Sequence, residues 1–153
     1  MNRLRRKFGT FARQSRLSQV LLLPAWCLTG LARSIVLMFP FKRYAPALGR
    51  YAGLSAVIPL AEERRYQTAL SIGRAVRMAA TIAPWQANCQ AQALAARCLL
   101  GLFGVPYAVF YGVANDPEQA MKAHAWVCCG PVPVTGGYAF DEFTVVAVFT
   151  SLR

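Results

Sequence analysis

Two spacings of apolar residues divide the chain. Tyr66, Ala69, Leu70, Gly73, Val76 and Ala80 recur at intervals of three and four, while Glu62, Glu63, Arg64, Arg65, Arg74 and Arg77 carry the polar side. That spacing predicts an amphipathic helix from about residue 61 to the stop at Pro84. A second helical run follows, through Ala91, Ala93, Leu94, Ala95, Ala96, Leu99, Leu100 and Phe103. Asn88 supplies its N-cap, Gly104 its left-handed exit, and Val105-Pro106 prevents continuation, giving a helix of about four turns that opens at Cys89. Upstream, residues 17–32 are uncharged and residues 34–41 are again apolar. Residues 25–38 read as a helix that packs on the core or on a partner. Pro40, Pro46 and Gly49 then mark a break, and residues 50–59 are expected to be weakly structured or a short helix.

After Gly104 the period falls to two. Tyr107, Val109, Tyr111 and Val113 alternate with Ala108, Phe110 and Gly112, so residues 105–114 predict a strand buried on both faces. A polar turn at residues 115–118 precedes a short alternating run at residues 123–127, which places His124, Trp126 and Cys128 on one face and Ala125, Val127 and Cys129 on the other. Gly130-Pro131 and Gly136-Gly137 are turn signals, and residues 144–149, TVVAVF, form a last strand. Helices followed by a small antiparallel sheet make the fold class α+β.

With 153 residues, 56% of them hydrophobic, the chain has material for one domain with a core. Within it, residues 1–60 read as a basic, apolar helical segment and residues 61–153 as the core. The net charge of +11 is unevenly distributed: residues 1–61 hold ten Lys or Arg and no acid, against seven bases and six acids afterwards. Arg3, Arg5, Arg6, Lys7, Arg13 and Arg16 surround Phe8 and Phe11. No nucleic-acid-binding motif accompanies them, so the segment points to an anionic membrane surface or a partner, with a disordered basic tail as the alternative. A spanning helix is not expected, because the uncharged run is shorter than the ~20 residues required, Pro24 and Gly30 interrupt it, and Arg33 would be buried at mid-membrane.

The chemistry centres on Cys89. A thiol in the first turn of a helix faces unpaired N–H groups and the positive end of the macrodipole, both of which favour thiolate. The one histidine of the chain, His124, follows 35 residues later. A Cys at a helix start facing a His on a neighbouring strand is an arrangement in which imidazole takes the thiol proton. The plainer alternative is a small buried thiol and a satisfied core imidazole. Gln86, with the backbone N–H of Cys89, is a candidate oxyanion donor. Cys128 shares a face with His124 and is the rival thiol.

The stretches PWQANCQAQALAARCLLGLFGVPYAVFYGVA and AHAWVCCGPVPVTGG resemble the transglutaminase-like (papain-like) cysteine peptidases that remove leader peptides in lasso-peptide biosynthesis, the microcin J-type processing proteins. Shared features are the Trp and Cys ahead of the helix, the Gly-Val-Pro exit, the strand ending Gly-Val-Ala, and Ala-His-Ala-Trp-Val. Residues 31–41 and the helix around Arg74 to Met78 fit the same family. The resemblance implies Cys89 as nucleophile, His124 as base and cleavage of a peptide bond. It also implies a lasso-precursor leader as substrate and an ATP-dependent lasso cyclase acting afterwards. At this length a separate small precursor-recognition protein is expected to act in trans, with the N-terminal third as its docking surface.

The resemblance falters at the third catalytic member. Family members often carry an Asp where this chain reads Val134-Thr135-Gly136-Gly137. The nearest carboxylate is Asp141, seventeen residues after His124, where a returning hairpin could bring it beside the ring. Thr135 or a backbone carbonyl are the alternatives. An odd number of cysteines, three of them in helical runs, argues against a disulfide framework and for a reducing cytoplasm, with peripheral membrane contact as a further expectation. No CxxC and a single His leave no pattern for a metal, and no cofactor motif is present. Two rivals stand beside the peptidase: the same chemistry transferring an acyl group to an amine, and a non-catalytic membrane-associated scaffold.

Overall fold

The computed structural model describes Arg6 and residues 9–55, 58–118 and 120–151, and shows the α+β architecture. Of the basic opening stretch, residues 1–5, 7 and 8 lie outside the described residues. Helices are followed and flanked by an antiparallel sheet; besides the four longer ones labelled here, Phe41–Tyr44 forms a single α-helical turn and Ala45–Leu48 a 3-10 turn. Helix α1 spans Arg16–Val20, α2 Leu22–Met38, α3 Glu63–Ile82 and α4 Cys89–Leu102. The strands are β1 Arg50–Tyr51, β2 Ala108–Ala114, β3 Lys122–Cys129, β4 Val132–Thr135 and β5 Thr144–Thr150, in the order β1-β5-β2-β3-β4.

Local chemistry explains the boundaries. Helix α2 begins ahead of residue 25 and runs through both expected interruptions. Pro24 lies in its first turn, where no intrahelical N–H is required. Gly30 is a packing device: a Cβ there would lie 2.9 Å from the ring of Trp85, so only glycine lets that indole lie against the helix. Trp85 also meets Trp26 at a ring-centroid distance of 4.6 Å. Helix α4 ends as its sequence predicts, with Gly104 at φ +62° and the Val105 N–H donating to the Leu100 carbonyl at 2.9 Å. The stretch 50–59 differs from expectation: Arg50 and Tyr51 pair with Thr150 and Phe149 as an edge strand.

The sheet is buried on both sides, as the strand at 105–114 required. On one face Val109, Tyr111, Ala125, Val127, Cys129 and Phe149 join the helices in the main core, where Ala91, Leu94, Leu99 and Leu100 of α4 also lie. Leu21, Ala25, Ala32 and Leu48 belong to the same core, so the N-terminal helices pack on it directly. On the other face Ala108, Phe110, Trp126, Cys128 and Val148 are covered by Ala139 and Phe143 from the β4–β5 connection. Cys128 and Cys129 therefore point to opposite faces. Among the described residues no helix is long and apolar enough to cross a membrane.

Candidate active site

Asn88 sets the geometry around Cys89. Its backbone is extended (φ −67°, ψ 175°), and its Oδ1 accepts from the Ala91 N–H at 3.0 Å, while its carbonyl accepts from Gln92 at 3.0 Å. The N–H groups of Cys89 and Gln90 are left without a partner among the described residues, at the positive end of a 14-residue helix. The approach is braced by Trp85 against Gly30 and by Gln92 Nε2, which donates to the Ala87 carbonyl at 2.8 Å. The thiol itself is half-buried. Gln86 is exposed, and its side chain makes no hydrogen bond among the described residues.

Two tyrosines that sequence reasoning passed over stand beside this helix start. The Tyr44 hydroxyl donates to Gln90 Oε1 at 3.3 Å, and the Phe41 ring touches both Tyr44 (5.4 Å between centroids) and Tyr111 (4.9 Å). The Tyr111 hydroxyl is buried and has no hydrogen-bond partner among the described residues. Burial first, and then the charges on Tyr44 and Cys89, push the Tyr111 phenol far above its ordinary value; burial and Cys89 also raise Tyr44. Both remain protonated O–H groups at physiological pH. An aromatic at an alternating strand position reads only as core, so nothing in the sequence separates Tyr111 from its apolar neighbours.

His124 lies on β3 beside Ala125, the cross-strand partner of Tyr111, on the face of the sheet that carries Trp126 and Phe143. Its Nε2 lies 2.8 Å from the carbonyl oxygen of Gly136. A carbonyl can only accept, so Nε2 carries the proton, and in the neutral ring Nδ1 is left with its lone pair, free to act as a base. The imidazole is stacked at 6.0 Å on Trp126 and tilted at 5.1 Å against Phe143. Gly112 is its cross-strand partner, and a Cβ at that position would meet Trp126 at 2.9 Å and Phe143 at 2.8 Å.

Of the three options for orienting the imidazole, the geometry selects a backbone carbonyl. Asp141 is exposed in the loop before β5 and makes no hydrogen bond to His124. Thr135 Oγ1 is buried without a hydrogen-bond partner among the described residues, the His124 ring included. Gly136 has φ +76°, and a Cβ on it would lie 2.5 Å from the Ala125 carbonyl oxygen. A side chain cannot be accommodated there, and the main chain takes over the role. Asp141→Asn is accordingly expected to leave kcat/KM within about twofold of wild type, as for other exposed surface substitutions. A loss of a hundredfold or more in a steady-state assay would return Asp141 to the site.

The structure does not join the thiol and the imidazole directly. Cys89 packs against the helix-side core and the His124 ring against Trp126 and Phe143, and no hydrogen bond connects them among the described residues. The thiol lies on the helix side of the sheet, with Tyr111 and Ala125, and the ring on the face of Trp126 and Phe143. The rival thiol fares worse. Cys128 is fully buried, and burial, reinforced by Cys129, pushes it up to about 12; burial pushes Cys129 up to about 11. Neither presents a useful thiolate fraction near neutral pH. Among the described residues no group of three or more His, Cys, Asp or Glu side chains could hold a metal ion.

A sequence model of the transglutaminase-like superfamily matches residues 35–148, a span that includes Cys89, His124 and most of the sheet. No curated protein and no solved structure matches the chain.

Proposed function

The chain belongs to the transglutaminase-like superfamily, whose members are in general cysteine-based peptidases and acyltransferases, and from that premise we propose that it is a leader peptidase of lasso-peptide biosynthesis. One observation carries the enzymatic reading. Cys89 offers a half-exposed thiol among unpaired N–H groups at a helix start, in a domain whose histidine has Nε2 tied down and Nδ1 free. The choice of substrate rests on the order and spacing of the Trp-Cys helix, the Gly-Val-Pro exit and the Ala-His-Ala-Trp-Val strand.

In this reading the Cys89 sulfur attacks the scissile carbonyl and its proton passes to His124 Nδ1. The tetrahedral oxyanion forms against the N–H groups of Cys89 and Gln90. Collapse expels the amine of the core peptide, which takes the proton from His124, and leaves the leader as a thioester on Cys89. Water, deprotonated by the same imidazole, then hydrolyses the thioester and restores the thiol. The imidazolium formed between these steps keeps both N–H groups, and the Gly136 carbonyl stabilises the one on Nε2 throughout.

The partners proposed are the leader region of the precursor, a small recognition protein that delivers it in trans, and an ATP-dependent cyclase that closes the ring on the freed amine, all in the cytoplasm. Incubating the precursor from the same gene neighbourhood with this protein and the recognition protein should yield two fragments whose masses sum to the precursor plus one water. A product joined to an added amine would favour acyl transfer. A precursor left intact under all conditions would remove the peptidase reading.

A further inference from the structure

We infer that the outer face of α2 seats the protein on an anionic lipid surface. The helix buries Ala25, Thr29 and Ala32 and turns the opposite side to solvent. On that side lie Leu23 (69% exposed), Cys27, Leu31 (58%), Ser34 and Met38 (72%), spaced at three and four residues, with Leu37 (67%) at the edge. Val20, at the end of α1, prolongs the stripe. Seventeen residues at 1.5 Å each give an apolar ridge about 25 Å long. Scattered exposed leucines need no explanation, but a continuous stripe along one helix does.

Charge at the two ends of the ridge identifies what covers it. Arg13 and Arg16 are exposed at its start and Lys42 and Arg43 at its finish, with the Arg43 guanidinium over the Phe39 ring at 5.9 Å. The first acidic residue in the chain is Glu62. A second copy of the chain would bring these cations together in either orientation, so self-association is opposed. The face also lacks directional features. Ser34 Oγ and the buried Thr29 Oγ1 donate to carbonyls of their own helix, at 3.1 and 2.9 Å, and the depression at the start of the ridge, lined by Gln19, Leu22, Leu23, Trp26 and Ile82, is itself almost wholly apolar. An apolar ridge with cationic ends and no hydrogen-bonding pattern suits a headgroup and acyl boundary better than a protein epitope. No described helix can cross a bilayer, so α2 lies in the interface.

Sedimentation of the full chain with vesicles tests this. Binding is expected to phosphatidylcholine vesicles containing phosphatidylglycerol, to weaken at high salt, and to be much poorer with phosphatidylcholine alone. Leu23→Glu with Leu31→Glu should weaken it by at least about tenfold, since each leucine that enters the boundary contributes that order of affinity. Both side chains are exposed, so an unchanged thermal melt would show that the loss is not misfolding. Lys42→Ser with Arg43→Ser should lessen binding to the anionic vesicles while leaving the weak binding to neutral ones unchanged. No binding to anionic vesicles, or binding indifferent to the Leu23 and Leu31 changes, would overturn the inference. So would a stoichiometric complex with the recognition protein, or a dimer, that these changes abolish, because the face would then belong to that partner or to a second copy.

Discussion

Cys89→Ala and His124→Ala should each lower precursor cleavage by about 10⁴-fold or more, and the double variant should be little worse than either single one. The magnitude follows from the way such residues act as a unit: without the nucleophile there is no thioester, and without the base the thiol and the leaving amine have no proton partner. Neither change should unfold the protein. Cys89 is only half-buried, and removing the imidazole gives up one hydrogen bond, worth about 1 kcal/mol, to the carbonyl of Gly136. Cleavage rates by mass spectrometry, with a circular dichroism melt on each variant, separate loss of chemistry from loss of fold. Strictly additive losses would mean that Cys89 and His124 do not work together, and undiminished cleavage in Cys89→Ala would point to a scaffold role for this domain. The buried thiols of Cys128 and Cys129, pushed up to about 12 and 11, leave no ready substitute.

The sequence carried the signals for the helix that opens at Cys89 more fully than for the group that orients His124. Asn88, Gly104 and Pro106 are local signals read by backbone geometry alone, and they delimit α4 almost to the residue. Alternation was equally informative for β2 and β3, because each strand is buried on both faces. Where a feature depends on distant pairing, the sequence was mute. Strand β1 is two residues long and exists only because β5 runs beside it, and β4 contains Pro133, which hides a strand from pattern reading. Gly30 and Gly136 both look like turn or breaker residues. In the structure each is a point where another part of the chain comes too close for a Cβ, Trp85 in one case and β3 in the other. A carbonyl that orients an imidazole leaves no mark on composition or motif, since every residue has one.

Gly136→Ala should then damage both stability and activity. The residue has φ +76°, where an alanine is strained by about 1–2 kcal/mol. Its Cβ would also lie 2.5 Å from the Ala125 carbonyl oxygen and 2.7 Å from Trp126 Cβ, contacts with the main chain and root of a fully buried strand that cannot rotate away. Relief requires the end of β4 to lift from β3, where Val127 pairs with Thr135, and the carbonyl that holds His124 Nε2 lifts with it. The expected cost is about 2–4 kcal/mol in urea denaturation, strain and overpacking together, with a fall in kcat/KM that exceeds what the folded fraction explains. Gly137→Ala supplies the comparison. Its φ is +72°, but a Cβ there meets nothing within 4 Å, so it should show the strain alone, about 1 kcal/mol, and keep its activity. Equal effects at the two positions would mean that backbone conformation matters here and the approach of β3 does not. Gly136→Asp extends the argument: it introduces a carboxylate at the residue whose carbonyl holds His124, yet it meets the same two contacts and should lose activity instead of gaining a triad.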